Sequence, residues 1–251
     1  MIAWLGMYDL PELRDAHDRY WALIRENLGY GPYALSRDLP AWDTWRAPDL
    51  LLAQTCGMPY RTRLHGDVTL VGTPDYGLPD CPPGHYNSVL VARSDDARAL
   101  PQLLAEGVFA YNEGGSQSGW SAPVTWFAQQ GRAPERGLKT GAHAASARAV
   151  AEGRADLAAL DAVTWTLLRA HDRTTDALRE IARTDPTPGL PYITSVSHDP
   201  APIAAAIRNA IAALDPADRA DLHLNGLVSI PAKDYLAVPT PPEPAEILHS
   251  V

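Results

Sequence analysis

Apolar runs of four to six residues recur along this chain with helical patterns between them, and that alternation limits the fold more than any single motif does. The runs at 2–6, 50–53, 68–72, 87–92, 108–111 and 157–160 are bounded by Gly, Pro or polar residues and predict buried strands. Between them, 10–28 predicts an amphipathic helix stopped by Gly29. Further helices are predicted at 100–107, 119–130, 143–153, 161–171 and 203–214. Strand and helix alternating at this spacing predict parallel α/β units. A chain of 251 residues has room for two lobes of about 100–150 residues each.

Composition narrows the class. With 46% hydrophobic and 20% charged residues, the chain is an ordinary folding sequence, not a disordered acidic one. Its 30 acidic and 21 basic residues leave a formal charge of −9 and no long basic run, which argues against nucleic acid as a partner. Apolar runs are far shorter than the ~20 residues a membrane-spanning helix needs, so no membrane insertion is expected. Met1 is followed at once by a strand-like run, with no basic stretch and no small-residue cleavage site. The sequence as written is therefore expected to be cytoplasmic, or periplasmic if a leader has been removed. Cys56 and Cys81 fit either a disulfide or two thiols. No His-Glu-x-x-His or Cys-x-x-Cys is present, so neither a metal nor another cofactor is expected.

The segment Asn112-Glu113-Gly114-Gly115-Ser116-Gln117-Ser118-Gly119 stands after a predicted strand and before a predicted helix. The first amides of a helix lack internal acceptors, and the helix dipole adds partial positive charge there. A Ser-x-Ser-Gly turn at that place can surround an oxyanion with hydroxyl and amide donors. The alternative is a serine N-cap on an ordinary helix. The segment is not a phosphate-binding P-loop, lacking Gly-Lys-Ser/Thr, and not a nucleophile elbow.

These residues carry a resemblance. Tyr111 to Pro123, with Ser116-Gln117-Ser118-Gly119-Trp120, resembles the Ser-x-Ser-Gly-aromatic segment of the phosphate/phosphite/phosphonate-binding proteins of ABC importers. Further similarities follow in order. Pro83-Gly-His-Tyr86-Asn-Ser-Val resembles that family's first interlobe strand, and Gly141-Ala-His143 to Asp156 its Gly-x-His helix and Gly-x-x-Asp turn. Pro188-Gly-Leu-Pro-Tyr-Ile resembles the return strand, and Asp234-Tyr235 a late Asp-Tyr element. The resemblance runs from residue 2 to about 238.

It implies an α/β, two-lobed type 2 periplasmic-binding-protein fold with two interlobe crossing strands and the ligand between the lobes. Lobe one would be 1–88 and 195–251, and lobe two 89–194. The tail after Val238, rich in proline, is expected to be irregular and to lie over the surface. The implied binding residues are Ser116, Gln117, Ser118 and Gly119 at the anion seat, Tyr86 on the first crossing strand and His143 at a helix start. The implied partners are a small oxyanion and an ABC permease, with the chain acting as a monomer.

Other residues enter by position. Asp161 ends a predicted strand and is expected either at the ligand or as the N-cap of 162–171. Thr55 and Gly57 follow the strand at 50–53, and Tyr8 follows the first strand. Ligands of open α/β sheets sit at the carboxyl ends of strands. Trp120 and Trp165 are candidate walls of the site, and Trp42 or Trp45 is the candidate for the family's lobe-one aromatic. The two acids that hold an ammonium in aminophosphonate binders correspond to Val163 and Leu190, which disfavours an aminoalkylphosphonate. The competing reading is a cytoplasmic enzyme of the same fold acting on a small organic acid or pyrimidine precursor, with His143 and Asp161 as an acid–base pair.

Overall fold

A computed structural model describes residues 1–250. Thirteen strands occur among them in chain order. They are β1 (Ile2–Trp4), β2 (Leu50–Gln54), β3 (Val68–Asp75), β4 (His85–Tyr86), β5 (Ser88–Arg93), β6 (Val108–Tyr111), β7 (Arg136–Lys139), β8 (Leu157–Asp161), β9 (Leu178–Arg183), β10 (Thr187–Pro188), β11 (Tyr192–Ser195), β12 (Gly226–Val228) and β13 (His249–Ser250). The chain divides into two compact units. The first holds Met1–His85 and Pro188–Ala237, and the second holds Tyr86–Thr187 and the segment from Val238. The fold is the two-lobed α/β fold, and β4 and β10 are the crossing strands.

The first unit is built on the sheet β1-β2-β11-β3-β12. β1 and β2 are parallel, while β11 runs antiparallel to both β2 and β3. Every residue of β2 is buried, as expected of an unbroken Leu-Leu-Leu-Ala run covered on both faces. The helix Arg14–Leu28 buries Ala16, Tyr20, Trp21 and Ile24 on one stripe and stops at Gly29, whose φ of 82° only glycine adopts without strain. It packs on Pro200–Ala213, which is capped by Asp199 and buries Ile203, Ala206, Ile207, Ala210 and Ile211. β11 (Tyr192–Ser195) is the central strand of this sheet. The passage between units lies upstream, at Thr187 and Pro188.

The second unit carries the sheet β13-β7-β6-β8-β5-β9. Its β13, β7, β6 and β8 are parallel, whereas β5 is antiparallel to β8 and β9. The purely parallel expectation fails at the same place in each unit. The strand that first enters from a crossing, β5 or β11, runs against its neighbours. Leu90, Leu103, Phe109, Trp120, Phe127 and Leu157 form the core, each shielded almost completely. Each such side chain contributes about 1.5–3 kcal/mol by leaving water.

The C-terminal segment corrects the expected division. It belongs to the second unit, so the chain passes between units a third time at Ala237 and Val238. It contains a short helix, Pro244–Ile247, and β13 extends the sheet beside β7. Trp120 Nε1 donates to the Pro242 carbonyl (2.9 Å) and Ser121 Oγ to that of Pro239 (3.1 Å). Ile247 and Leu248 join the core, and Leu248 fills the space that a Cβ at Gly137 would take. Proline blocks regular structure only locally; its carbonyls still accept hydrogen bonds, and apolar residues follow it.

Candidate functional site

In the second unit, the site is built from the segments that follow β6, β7 and β8. After Tyr111 the chain bends through Asn112 to Gly115, and Ser116 is an extended N-cap whose Oγ accepts from the Gly119 amide at 3.0 Å. The next turn, Gln117–Ser121, is wider than an α-helical one. Ser121 N donates to Ser116 O at 3.0 Å, five residues back. The α-helix itself starts only at Ala122 and ends at Gln129, inside the expected 119–130. The wide turn accommodates Pro123 in the first helical turn, where a missing N–H costs nothing. Gly119 is required by contact, since a Cβ there would run into the Asn112 carboxamide.

The loop after β7 is tied to the loop after β6. Thr140 N and Oγ1 both donate to Tyr111 O (2.9 and 3.0 Å), and Gly141 N donates to Asn112 O (2.9 Å). Thr140 Oγ1 also lies 2.6 Å from Ser146 Oγ, on the helix His143–Ala151. These ties set His143, the first residue of that helix, beside the serine turn. Its Nε2 lies 3.0 Å from Ser118 Oγ. Burial lowers the His143 pKa to about 4, against a smaller raising effect of the Ala159 carbonyl on β8. At neutral pH the ring is therefore uncharged. Ser116 and Ser118 are 4% and 3% exposed, and Gln117 and Gly119 are also buried. The structure thus brings Ser116, Gln117, Ser118, Gly119 and His143 together as hydroxyls, helix-start amides and a neutral imidazole. Such groups hold an oxyanion by hydrogen bonds without a countercharge.

Asp161 ends β8 and caps the helix Ala162–His171. Its Oδ1 accepts from Val163 N (2.8 Å) and Thr164 N (3.0 Å). The capping alternative is therefore present, and the carboxylate is held in place by it. Tyr86 is buried on β4. Trp120 is a core residue and does not line the site. Trp165 is buried with Nε1 donating to Glu180 Oε1 at 2.7 Å. Val163 and Leu190 are fully shielded apolar residues.

The first unit places Thr55 and Gly57 in one loop after β2, and both are buried. Thr55 N donates to Pro191 O at 3.0 Å, while its Oγ1 has no hydrogen-bond partner among the described residues. Tyr8 packs edge-on against Tyr76 with ring centres 5.3 Å apart. Gln54 Nε2 donates to the Tyr76 hydroxyl (3.0 Å) and to Leu190 O (3.3 Å). Gln54 and Tyr76 were not among the sequence candidates, although a glutamine closing an apolar strand is a visible signal. Trp45 donates to Gln54 O at 3.0 Å and packs between Trp4 and Trp42. Cys56 and Cys81 are separate thiols.

Among the described residues, no helix is long and apolar enough to cross a membrane, and no group of three His, Cys, Asp or Glu side chains is placed to hold a metal ion.

Comparison with known proteins gives one family model, described as ABC transporter, phosphonate, periplasmic substrate-binding protein, which matches residues 46–235. No curated protein matches the chain in sequence. Among solved structures, PhnD1 from Prochlorococcus marinus in complex with methylphosphonate is similar at a TM-score of 0.69 and 15% identity, over 93% of this chain and 94% of that one. A binding-protein component of an ABC phosphonate transporter from Pseudomonas aeruginosa is similar at 0.69 and 17%, over 94% and 82%. A protein from Xanthomonas citri bound to chloride is similar at 0.64 and 16%, over 93% and 92%. The family match spans well over half of the chain, and the chain belongs to the phosphonate substrate-binding proteins of ABC transporters.

Proposed function

We propose that this chain binds a small oxyanion of the phosphate, phosphite or phosphonate class and delivers it to an ABC permease. The observation that carries this reading is the Ser116–Gly119 turn with Ser118 held 3.0 Å from a neutral His143. A buried cluster of neutral donors suits an anion that must be released again, because no ion pair has to be broken. The family supports the permease as partner.

Binding without turnover is the reading we favour over an enzyme. His143 is engaged by Ser118 and has a pKa too low for an effective base near neutrality. Asp161 is spent at Oδ1 on two backbone amides.

The test is a melting screen of the protein with methylphosphonate, phosphite, phosphate and, as controls, sulfate and malate. A ligand at a hundred times its Kd adds about 2.7 kcal/mol of stability. One of the three phosphorus oxyanions is expected to raise Tm by several degrees, and phosphorus NMR is expected to show it chemically unchanged after prolonged incubation. No shift with any of them would overturn the oxyanion reading, and conversion of the ligand would overturn the binding-only reading.

A further inference from the structure

Ser88 opens β5 and is 0% exposed. Its backbone is fully used. Its N–H donates to Thr184 Oγ1 (3.0 Å), and its carbonyl accepts from Thr184 N (3.0 Å). Its hydroxyl, by contrast, has no hydrogen-bond partner among the described residues. A buried hydroxyl left unmatched is costly, so it is retained where something outside the fold completes it.

Its position says what that is. In the β5–β8 ladder Ser88 stands directly opposite Asp161. Side chains so paired share a face with their Cβ atoms about 5 Å apart. Asp161 in turn caps the ten-residue helix Ala162–His171 through Oδ1, which accepts from Val163 N and Thr164 N. The Gln117–Ser121 turn and the helix His143–Ala151 both pack against β8, the strand that Asp161 ends. The Ser118–His143 pair and the Ser88–Asp161 pair thus stand on elements that share that one strand. Thr44 also has an unmatched buried hydroxyl. It lies in the short helix Ala41–Trp45 of the first unit, where no strand pairing sets a carboxylate opposite it.

We infer that Ser88 is a ligand-binding residue whose hydroxyl, beside Asp161, takes a second polar atom of the molecule seated at Ser116–Ser118. This rests on the oxyanion reading above and narrows it. A hydroxyl both donates and accepts, and a carboxylate only accepts. The group met here is therefore one that can donate a proton in a hydrogen bond, such as a P–OH, and not a methyl.

The experiment compares Ser88→Ala and Ser88→Thr with the wild type. Tm is measured without ligand, and Kd is measured by calorimetry for phosphate, phosphite and methylphosphonate. Ser88→Ala is expected to melt no lower than the wild type, because it removes a hydroxyl the empty fold does not use, and to bind about tenfold more weakly. Ser88→Thr, which keeps the hydroxyl, is expected to retain more of the affinity than Ser88→Ala. A lower Tm for Ser88→Ala, with or without a change in Kd, would show that the hydroxyl is spent inside the fold and overturn the inference. Unchanged Kd would overturn it equally. Should the wild type bind none of the three probes, the oxyanion reading fails by itself, and the melting comparison still decides whether the Ser88 hydroxyl is unspent.

Discussion

Acidification is expected to weaken the second unit through His143, and His143→Gln to remove that part of the loss. The folded pKa of about 4 lies below the ordinary 6.5, because burial disfavours the imidazolium. The unfolded chain therefore takes up the proton first. His143 contributes its full stability above pH 6.5, loses it progressively as pH falls towards 4, and changes nothing further below that. The difference between the two pKa values corresponds to about 3 kcal/mol at most. The ring is only partly shielded from solvent, which can share the charge, so about 1–3 kcal/mol is the expected range. Glutamine keeps a hydrogen-bonding group near Ser118 but does not titrate. Urea unfolding of both proteins at pH 8, 6.5, 5 and 4 isolates the effect, since every other titrating group, including the buried His17, is common to both. The wild type should lose this advantage between pH 6.5 and 4. A stability difference independent of pH, or one that grows in favour of the wild type on acidification, would refute the reasoning.

Two other substitutions probe the frame of the seat. Gly119→Ala puts a Cβ into the Asn112 carboxamide and 3.2 Å from Ser116 Oγ, so the turn must open; a stability loss of about 1–3 kcal/mol and at least tenfold weaker binding are expected by urea unfolding and calorimetry. Trp120→Phe removes the donor to Pro242 and leaves a void in the core; a loss of about 2–4 kcal/mol, with faster proteolytic trimming of the segment after Val238, is expected, and unchanged trimming would mean that the tail is held elsewhere.

How much of this was legible beforehand depended on whether the cause was local. β2, β6 and β8 are unbroken apolar runs, and burial on both faces is what such runs require. β9 reads Leu-Arg-Glu-Ile-Ala-Arg, and its charges conceal an edge strand that only β5 calls into being. β7 has two exposed and two half-exposed residues, with little apolar signal of its own. The tail was hidden by its prolines, although Leu248 and the absent side chain of Gly137 fit each other.

The serine turn was visible as hydroxyls and glycine at a helix start. Its coupling to His143 spans 25 residues and arises from the Thr140 and Gly141 bonds to Tyr111 and Asn112, which no local pattern announces. Ser88 was invisible for a further reason. Whether a hydroxyl is satisfied depends on everything packed around it, and that is tertiary information.

The most direct test of the anion seat is calorimetric titration of the wild type, Ser116→Ala and Ser118→Ala with the phosphorus oxyanion that gives the largest melting shift. Removing one hydroxyl that donates to a charged acceptor costs about 1.5–3 kcal/mol. Each variant should therefore bind at least about tenfold more weakly while its fold is retained. Unchanged affinity in both would contradict the assignment of Ser116 and Ser118 as the seat of the anion.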